Sequence, residues 1–561
     1  MPVFSTPSLI EVGLLVAIGL LLAAPVGRYM ARVYLGRPTA LDGLFAPLER
    51  AIYRLLGVDP RRAMGWKEYA ANLLLFNAAA MGFVFLLLLF QGPLPGNGLH
   101  VPGMGWDLAL HTSASFVTNT DFQHYAPESQ VSLLTSVLGL QMLMFVSAAS
   151  GLSVAAAFVR GFVRRDGTIG NYWVDVTSTI VRVLLPISLV AGGLFVLLGV
   201  PDTLAQTVLL HAPGGGSSLA ATGPVGSWNA IEFLGTNGGG YFGANAAHPF
   251  QNPSPATNDL AILLMMLIPF ATPFMFGAMV RRPSEAWPLL TTILVIFLVA
   301  VALFVFFESS NGFLAGLPVN QSNGYLYGAE ARFTLPESGL FQVTSIYANV
   351  GATSMSLGSL TPGAQLVLVW GMLLQATPGG DGTGFGMLLM NALLAIFVGG
   401  LMVGRTPEYL GKKVGRGEIR WAAVTILSHP FAILVPLAIA YGIGLASAAH
   451  GTTAHAFTVL LYEFTSEAAN NGSSMGPIAD ATPFFNLAGA AVMLFSRYLP
   501  IVAMLAIGGS LARQSPLPPG PGTLKTDSGT FTVYLIGFIL VLSGLIFLPV
   551  LVLGPFGQGG L

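Results

Sequence analysis

Ten apolar runs, each roughly 20 residues and so long enough to cross a bilayer, begin near residues 8, 70, 133, 178, 258, 288, 365, 422, 484 and 530. Inside lipid every backbone polar group must find a partner within the protein, and unbroken apolar runs of this length meet that demand as helices. The chain is therefore expected to be an all-α integral membrane protein with ten transmembrane helices. The basic residues check this independently, because Lys and Arg near span ends collect in the loops on one side. Of the 23 Lys and Arg residues, all but Arg332 fall in or beside alternate loops. The loop after the first run carries Arg28, Arg32, Arg37, Arg50, Arg54, Arg61, Arg62 and Lys67, and those after the seventh and ninth carry Arg405 to Arg420 and Arg513 with Lys525. Both termini are thus expected outside.

Only 8% of the 561 residues are charged, against about 25% in a soluble domain. A net charge of −1 gives no electrostatic case for nucleic acid. With no cysteine, disulfides, thiolate metal sites and thiol catalysis are excluded. Met1 to Glu11 holds no Lys or Arg ahead of its apolar run, unlike the positive start of a signal peptide, so a retained first span is expected.

Four outside loops are long: about 93–132, 201–257, 308–364 and 446–483. Each contains a moderately apolar stretch of about ten residues followed by small and amide residues: Ser115 to Gln123, Leu234 to Asn245, Tyr347 to Ser354 and Glu467 to Ser474. Taking Asn119, Gly238, Gly351 and Asn471 as marks, the spacing is nearly constant, which suggests one unit of span, short helix, loop and span used four times. The chain then divides into 1–69 (first helix and basic loop), four repeats at 70–160, 161–280, 281–421 and 422–529, and 530–561 (last helix).

Gly238, Gly240 and Gly243 match the G-x-G-x-x-G of a dinucleotide turn, but the following Pro-rich stretch cannot continue a helix, so the match is fortuitous. Irregular backbone dipping into a membrane is tolerated where it lines a protein-enclosed path. Four such loops around one axis can replace an ion's hydration shell with carbonyl oxygens. Short helices whose C-terminal ends point at the loops favour a cation, as do Asp121 and Glu467. Thr118, Thr120 and Thr236 offer hydroxyl oxygens, while the amides of Asn119, Asn237, Asn470 and Asn471 either brace the loops or coordinate directly. Oxygen donors without a thiol or imidazole cluster point to an alkali cation. The competing view is that these are ordinary solvated turns, against which stand four of them on one side.

The seventh run is interrupted by Thr377 to Gly386, whose proline and clustered glycines break a helix. Pro378, Gly379, Gly380 and Asp381 are gate candidates, a membrane-embedded acid being a functional candidate by default; a packing kink is the alternative. Arg497, within the ninth run, is expected to snorkel to the interface; repulsion of cations below the filter is the alternative. His111, His124 and His248, at unrelated spacings, are expected to be structural or solvated rather than metal ligands. The run Gly404 to Lys413 has the wrong glycine spacing for a P-loop, and no Asp-Lys pair occurs, so the chain shows no recognisable ATP-hydrolysing machinery.

Four runs carry a resemblance: Gly404-Arg-Thr-Pro-Glu-Tyr-Leu-Gly-Lys-Lys413, Leu234-Gly-Thr-Asn-Gly-Gly-Gly-Tyr-Phe242 with His248-Pro-Phe, Ser115-Phe-Val-Thr-Asn-Thr120, and Ala468-Ala-Asn-Asn-Gly-Ser473. Together with Trp66-Lys-Glu-Tyr they make the chain resemble, over nearly its whole length, the KdpA family of potassium-binding subunits of bacterial Kdp potassium-transporting ATPases. The resemblance implies the fold of the potassium-channel-like superfamily: four membrane–pore–membrane repeats with one extra helix at each end. It implies a P-type ATPase partner, KdpB, a single-span KdpC and a small KdpF. It also implies that potassium, selected at an outer filter, passes sideways to the ATPase subunit, which alone hydrolyses ATP, so this chain would be a non-hydrolytic subunit that binds no nucleotide.

By motif, the resemblance places Asn119, Thr120 and Asp121 in the first filter segment with Gln123 at its vestibule, Thr236, Asn237 and Gly238 in the second, Val350 and Gly351 in the third, and Asn470, Asn471 and Gly472 in the fourth. Two places depart from the family pattern. The third loop reads Ile346-Tyr-Ala-Asn-Val-Gly351 where the family usually has small hydroxyl residues before a Cys-Gly pair. Gln375-Ala-Thr-Pro-Gly-Gly stands where a Gly-Glu pair is common, leaving open whether Asp381 replaces that acid. Arg405, Glu408, Lys412 and Lys413, on the inside, are docking candidates for a coupling partner. The rival expectations are a self-sufficient potassium channel or gradient-driven transporter of the same superfamily, and a carrier of broken helices, which would show two inverted halves.

Overall fold

In the computed structural model the described residues are 6–212, 214–309, 328–374, 379–402, 404, 406–449, 453–476, 478–516 and 524–558. Among the described residues, ten helices are long and apolar enough to cross a membrane: Ile10–Tyr34, Trp66–Leu89, Thr135–Val163, Tyr172–Leu197, Pro255–Met279, Pro283–Ser309, Thr383–Met402, Arg416–Gly442, Pro483–Leu511 and Gly529–Gln558. They are spans one to ten below. The seventh is preceded by a separate half-helix, Pro362–Leu373, so the expected break is present and the full-length crossing begins only at Thr383. Pro378 lies outside the described residues.

Between spans two and three, four and five, six and seven, and eight and nine lies a shorter helix: Trp106–Val117, Val225–Leu234, Leu335–Tyr347 and Thr453–Ala469. These are pore helices one to four. The third starts on a capping box in which Thr334 Oγ1 accepts from the Glu337 backbone and the Glu337 carboxylate accepts from Thr334 N, satisfying two of the donors a helix start leaves open. Span five begins the same way on Ser254 and Thr257, with Pro255 at the first helical position.

Burial separates the spans into two classes. The apolar windows of spans three and five are 89% and 83% buried, whereas those of spans one, two and ten are only 28% buried. A helix apolar all round and buried in protein belongs to the core; one equally apolar but exposed meets lipid. Leu21 and Leu197, both largely exposed, are on this lipid-facing surface. Span one packs along span five and span ten against span six, flanking the four repeats.

The face that carries the basic loops is pinned by buried ion pairs. Arg160, at the end of span three, holds Asp175 through two bonds of 2.7 Å and donates to Tyr34 O at 2.6 Å, while Tyr69 donates to the same carboxylate at 2.9 Å. Gly170 has φ +128°, and a Cβ there would strike the Arg160 guanidinium, so both backbone and space require glycine. Arg182 of span four pairs with Asp42 and Glu49 of the first inside loop, which ties that loop to the second repeat. Outside, an antiparallel hairpin pairs Thr207–Ala212 with Gly216–Ala221, an element the apolar-run reading did not anticipate.

Candidate filter

Each pore helix ends where its loop turns, and the four turns are built alike. The first residue of each has positive φ although it is not glycine: Asn119 (63°), Thr236 (48°), Asn349 (52°) and Asn470 (53°). The next residue returns its N–H to the carbonyl five positions back: Thr120 to Ser115 at 3.0 Å, Asn237 to Glu232 at 2.8 Å, Val350 to Ser345 at 2.7 Å and Asn471 to Ser466 at 2.9 Å. Four equivalent bonds define the true register. They set Thr120, Asn237, Val350 and Asn471 as counterparts, with Asp121, Gly238, Gly351 and Gly472 following. The marks used on the sequence therefore mixed three successive positions, because composition shows which residues are small but not which of them turns.

The turns meet. A Cβ added to Gly238 would lie 2.8 Å or less from the carbonyl oxygens of Thr120, Val350 and Asn471, and one added to Gly472 or Gly351 would strike Thr120 O or Asn471 O. Glycine there lets three neighbouring carbonyls approach one another and the second loop. The convergence of backbone oxygens from the loops after pore helices one, three and four on Gly238 of the second loop is the central feature of the site.

The side-chain amides brace rather than line it. Asn119 Nδ2 donates to Gly235 O and Thr236 O at 3.1 and 2.6 Å, and its Oδ1 accepts from Ser147 at 2.8 Å. Asn237 Nδ2 reaches Ile231 O, Asn470 Nδ2 reaches Thr120 Oγ1 at 2.9 Å, and Asn471 Nδ2 reaches Ile346 O. Each loop is thus tied to its neighbour or its own pore helix. The hydroxyls are likewise engaged: Thr118 donates to Ala114 O and shares a bond with Thr120, and Thr236 bonds the backbone and carboxylate of Asp381. Gln123, half-buried, donates to Gly240 O at 3.3 Å. Asp121 is different. It is fully buried, and neither carboxylate oxygen has a hydrogen-bond partner among the described residues.

Asp381 sits directly against the second turn. Its N–H donates to Thr236 Oγ1 at 2.9 Å, and its neighbour Gly380 donates to Ala348 O, so the break in span seven packs on the loop system. A Cβ on Gly379 would strike the backbone of Ala348. Arg497 is not at a membrane interface, as its place near a span end in the sequence suggested. It lies buried in mid-helix, donating to Gly380 O at 3.1 Å, Thr383 Oγ1 at 2.6 Å and Ser147 O at 3.3 Å. Snorkelling is excluded because all the guanidinium's recorded bonds run inward to the break and to span three. Asn349 and Asn470 line a cavity of about 60 Å³ together with Thr383, His429, Arg497 and the apolar Met387, with room for several waters.

The inside docking candidates divide. Lys412 is fully buried, its ammonium donating to the carbonyls of Arg164, Leu511 and Gln514 at 2.8, 2.9 and 2.6 Å. It therefore cannot meet a partner, and its expected docking role is withdrawn: it is a strut between three inside loops. Glu408 is buried beside it in the two-residue strand Glu408–Tyr409, Lys413 is exposed, and Arg405 lies outside the described residues. His248, half-buried, stacks on Phe242 at 3.7 Å, a structural role. His111 and His124, by contrast, stack on each other at 3.9 Å beside Glu463 and Glu467 of pore helix four. Spacing could not show this, since the pairs belong to the first and last repeats.

Comparison with known proteins supports the architecture and adds kinship. The crystal structure of the potassium transporter TrkH from Vibrio parahaemolyticus shares the fold, with a TM-score of 0.51 at 14% identity, covering 87% of this chain and 96% of that one. Curated relatives called potassium-transporting ATPase potassium-binding subunit are 41% identical: that of Geobacillus kaustophilus over 560 residues, covering 99% of each chain, and that of a Nostoc species, covering 98% of each. The family model described as "Potassium-transporting ATPase A subunit" matches residues 13–559, and with that match and those relatives the chain belongs to the KdpA family.

Proposed function

We propose that this chain is the potassium-selecting and translocating subunit of an ATP-driven uptake pump of the prokaryotic inner membrane, with both termini outside. The observation that carries this reading is the convergence of the Thr120, Val350 and Asn471 carbonyls on Gly238. Backbone oxygens held by equivalent bonds can replace the water lost by an alkali cation. The pore helices end at the turns, so their partial negative charge adds to the attraction, and the buried, unpartnered Asp121 carboxylate adds more. In this reading Asn119, Asn237, Asn470 and Asn471 act through the loops they brace.

Below the filter, Arg497 is the obstacle and the fastener together. Its charge opposes a cation leaving straight inward, while its bonds hold the broken segment around Gly380 and Asp381 against the second loop. The cavity beside it, which Asn349, Asn470 and Thr383 help to line, offers potassium a sideways exit. Energy must come from elsewhere, since the chain has no phosphate-binding or phosphorylatable motif; a KdpB-type ATPase with KdpC and KdpF supplies it, and the exposed inside face around Lys413 is where such a partner docks.

The test is potassium-stimulated ATP hydrolysis by this protein co-purified with the products of its neighbouring reading frames, compared with the same complex carrying Gly238→Asp. Stimulation at low potassium that moves to much higher concentration in the variant supports selection here and hydrolysis in the partner. No hydrolysis, with potassium flux through the protein alone in liposomes, would replace the pump by a self-sufficient channel.

A further inference from the structure

Behind the first and fourth turns lies a cluster that the potassium path does not use. His111 on pore helix one, His124 just beyond Asp121, and Glu463 and Glu467 on pore helix four have side chains at most 1% exposed. Neither ring nitrogen of His111, nor His124 Nε2, nor any carboxylate oxygen of the two glutamates has a hydrogen-bond partner among the described residues. Two bare carboxylates in a dry interior are costly unless protonated, paired or bound to a cation. The donor atoms of His111, His124 and Glu467 lie within 4.8 Å of one another, as do those of His124, Glu463 and Asp480.

The neighbouring hydrogen bonds orient one ring. Asn486 Nδ2 donates to Asp107 Oδ2 at 2.9 Å, and because a carboxylate can only accept, the Asn486 amide cannot be reversed. Its Oδ1 therefore faces His124 Nδ1 at 2.8 Å, which makes Nδ1–H the donor. In the neutral ring the Nε2 lone pair then faces Glu463 Oε1 at 3.2 Å without the alignment of a hydrogen bond. Lone pair against carboxylate is repulsive, and something positive belongs between them. An outer amide fixing a histidine tautomer so that the other nitrogen is free is the ordinary support of a metal-binding imidazole.

We propose that His124, Glu463 and the partly exposed Asp480 bind one divalent transition-metal ion of the zinc class. His111 and Glu467 form a second pair beside them; the His111 ring lies stacked on His124 at 3.9 Å, so its in-plane lone pair cannot aim at the same ion. A tetrahedral ion with bonds of about 2.0–2.2 Å places its donors roughly 3.3–3.6 Å apart. The His124–Glu463 separation is 3.2 Å. One imidazole with two carboxylates suits zinc rather than potassium, calcium or magnesium, which take oxygen. A divalent cation also neutralises the two carboxylates that hold it. Bound there, it fastens the loop after pore helix one, three residues beyond Asp121, to pore helix four.

The experiment uses the full chain, purified in detergent, stripped with a chelator, titrated with zinc chloride and desalted before metal analysis. One zinc per chain is expected, together with the visible ligand-field bands of tetrahedral cobalt(II) when cobalt chloride replaces zinc. Glu463→Gln, which keeps the side chain's shape, should lose the stoichiometric zinc, and Asn486→Ala should weaken zinc binding about 10–100-fold, with both variants eluting from gel filtration as the parent does. No zinc above background in the parent, with the His124–Glu463 pair then held by a proton, overturns the proposal; so does equal zinc in parent and Glu463→Gln. None of these readouts depends on potassium transport.

Discussion

Replacing Gly238 by alanine adds a single carbon to the ring of carbonyls, and its effect can be worked from distances. The new Cβ would sit 2.8 Å from Val350 O, 2.6 Å from Asn471 O and nearer still to Thr120 O, so each oxygen must withdraw by several tenths of an ångström to reach ordinary contact. Treating a carbonyl oxygen as about half a charge and taking an effective dielectric near 20, a retreat of ~0.7 Å from a cation in contact weakens the attraction by roughly 0.6 kcal/mol. Three retreating oxygens then cost about 2 kcal/mol, or roughly 20–30-fold in affinity. Half-saturating potassium, read from ATP hydrolysis by the complex or from calorimetric titration of the chain, should rise by that factor. The maximum rate of hydrolysis should fall much less, because the change lies far from any nucleotide. A Gly238→Ala protein that is folded and keeps its potassium affinity would refute the argument that these oxygens contact the ion.

Asn119→Ala and Asn119→Gly should both weaken potassium affinity about tenfold or more, since each deletes three buried bonds worth roughly 0.5–1.5 kcal/mol apiece. Glycine also relieves the φ of +63°, so full rescue by glycine would show that backbone strain, not bracing, matters. Arg160→Met leaves Asp175 buried and unpaired, at a cost of about 3–5 kcal/mol; thermal unfolding in detergent should begin well below that of the parent, and an unchanged unfolding temperature would remove this pair from the fold's supports. Lys412→Met should destabilise the inside loops while Lys413→Met leaves stability unchanged and weakens retention of the partner; the reverse pattern would restore Lys412 to the docking surface. The Asp42 carboxyl is held down to about 2 by hydrogen bonds from Thr39 and by Arg182. Its contribution is therefore complete above its ordinary value near 3.8 and is lost as pH falls through about 2, so acid titration should release the first inside loop only in that window, as seen by proteolysis after return to neutral pH.

What could be read in advance follows from range. Span length is a local property of some 20 residues, and nine of the ten spans begin where their apolar runs predict to within several residues. The seventh begins later because one helix ends at Leu373 and the next starts only at Thr383, a break visible in the sequence. The four outside turns were legible as small and amide residues, but their register was not: it rests on a backbone bond from the second turn residue to the carbonyl five back, which composition does not encode. Depth was the other failure. Arg497 and Lys412 each stood among inside basic residues, and nothing local distinguishes a guanidinium or ammonium that reaches water from one whose donors are taken by Gly380, Thr383 and Ser147, or by three loop carbonyls. The histidine–glutamate cluster joins the first repeat to the fourth, so no spacing rule could reveal it.

The four turns are built alike yet carry different residues: Thr120, Asn237, Val350 and Asn471 at one level, Asp121, Gly238, Gly351 and Gly472 at the next. In a ring assembled from identical subunits, a substitution strikes every corner at once and cannot say how the corners divide the work. Here one gene writes each corner separately. A single acid, Asp121, can sit at one vertex without three like charges facing it, and one corner can drift while its neighbours hold the geometry. The same asymmetry makes the ring experimentally divisible: its grip on an ion can be measured one quarter at a time, and quarters that fail to add up would reveal how strongly they lean on one another.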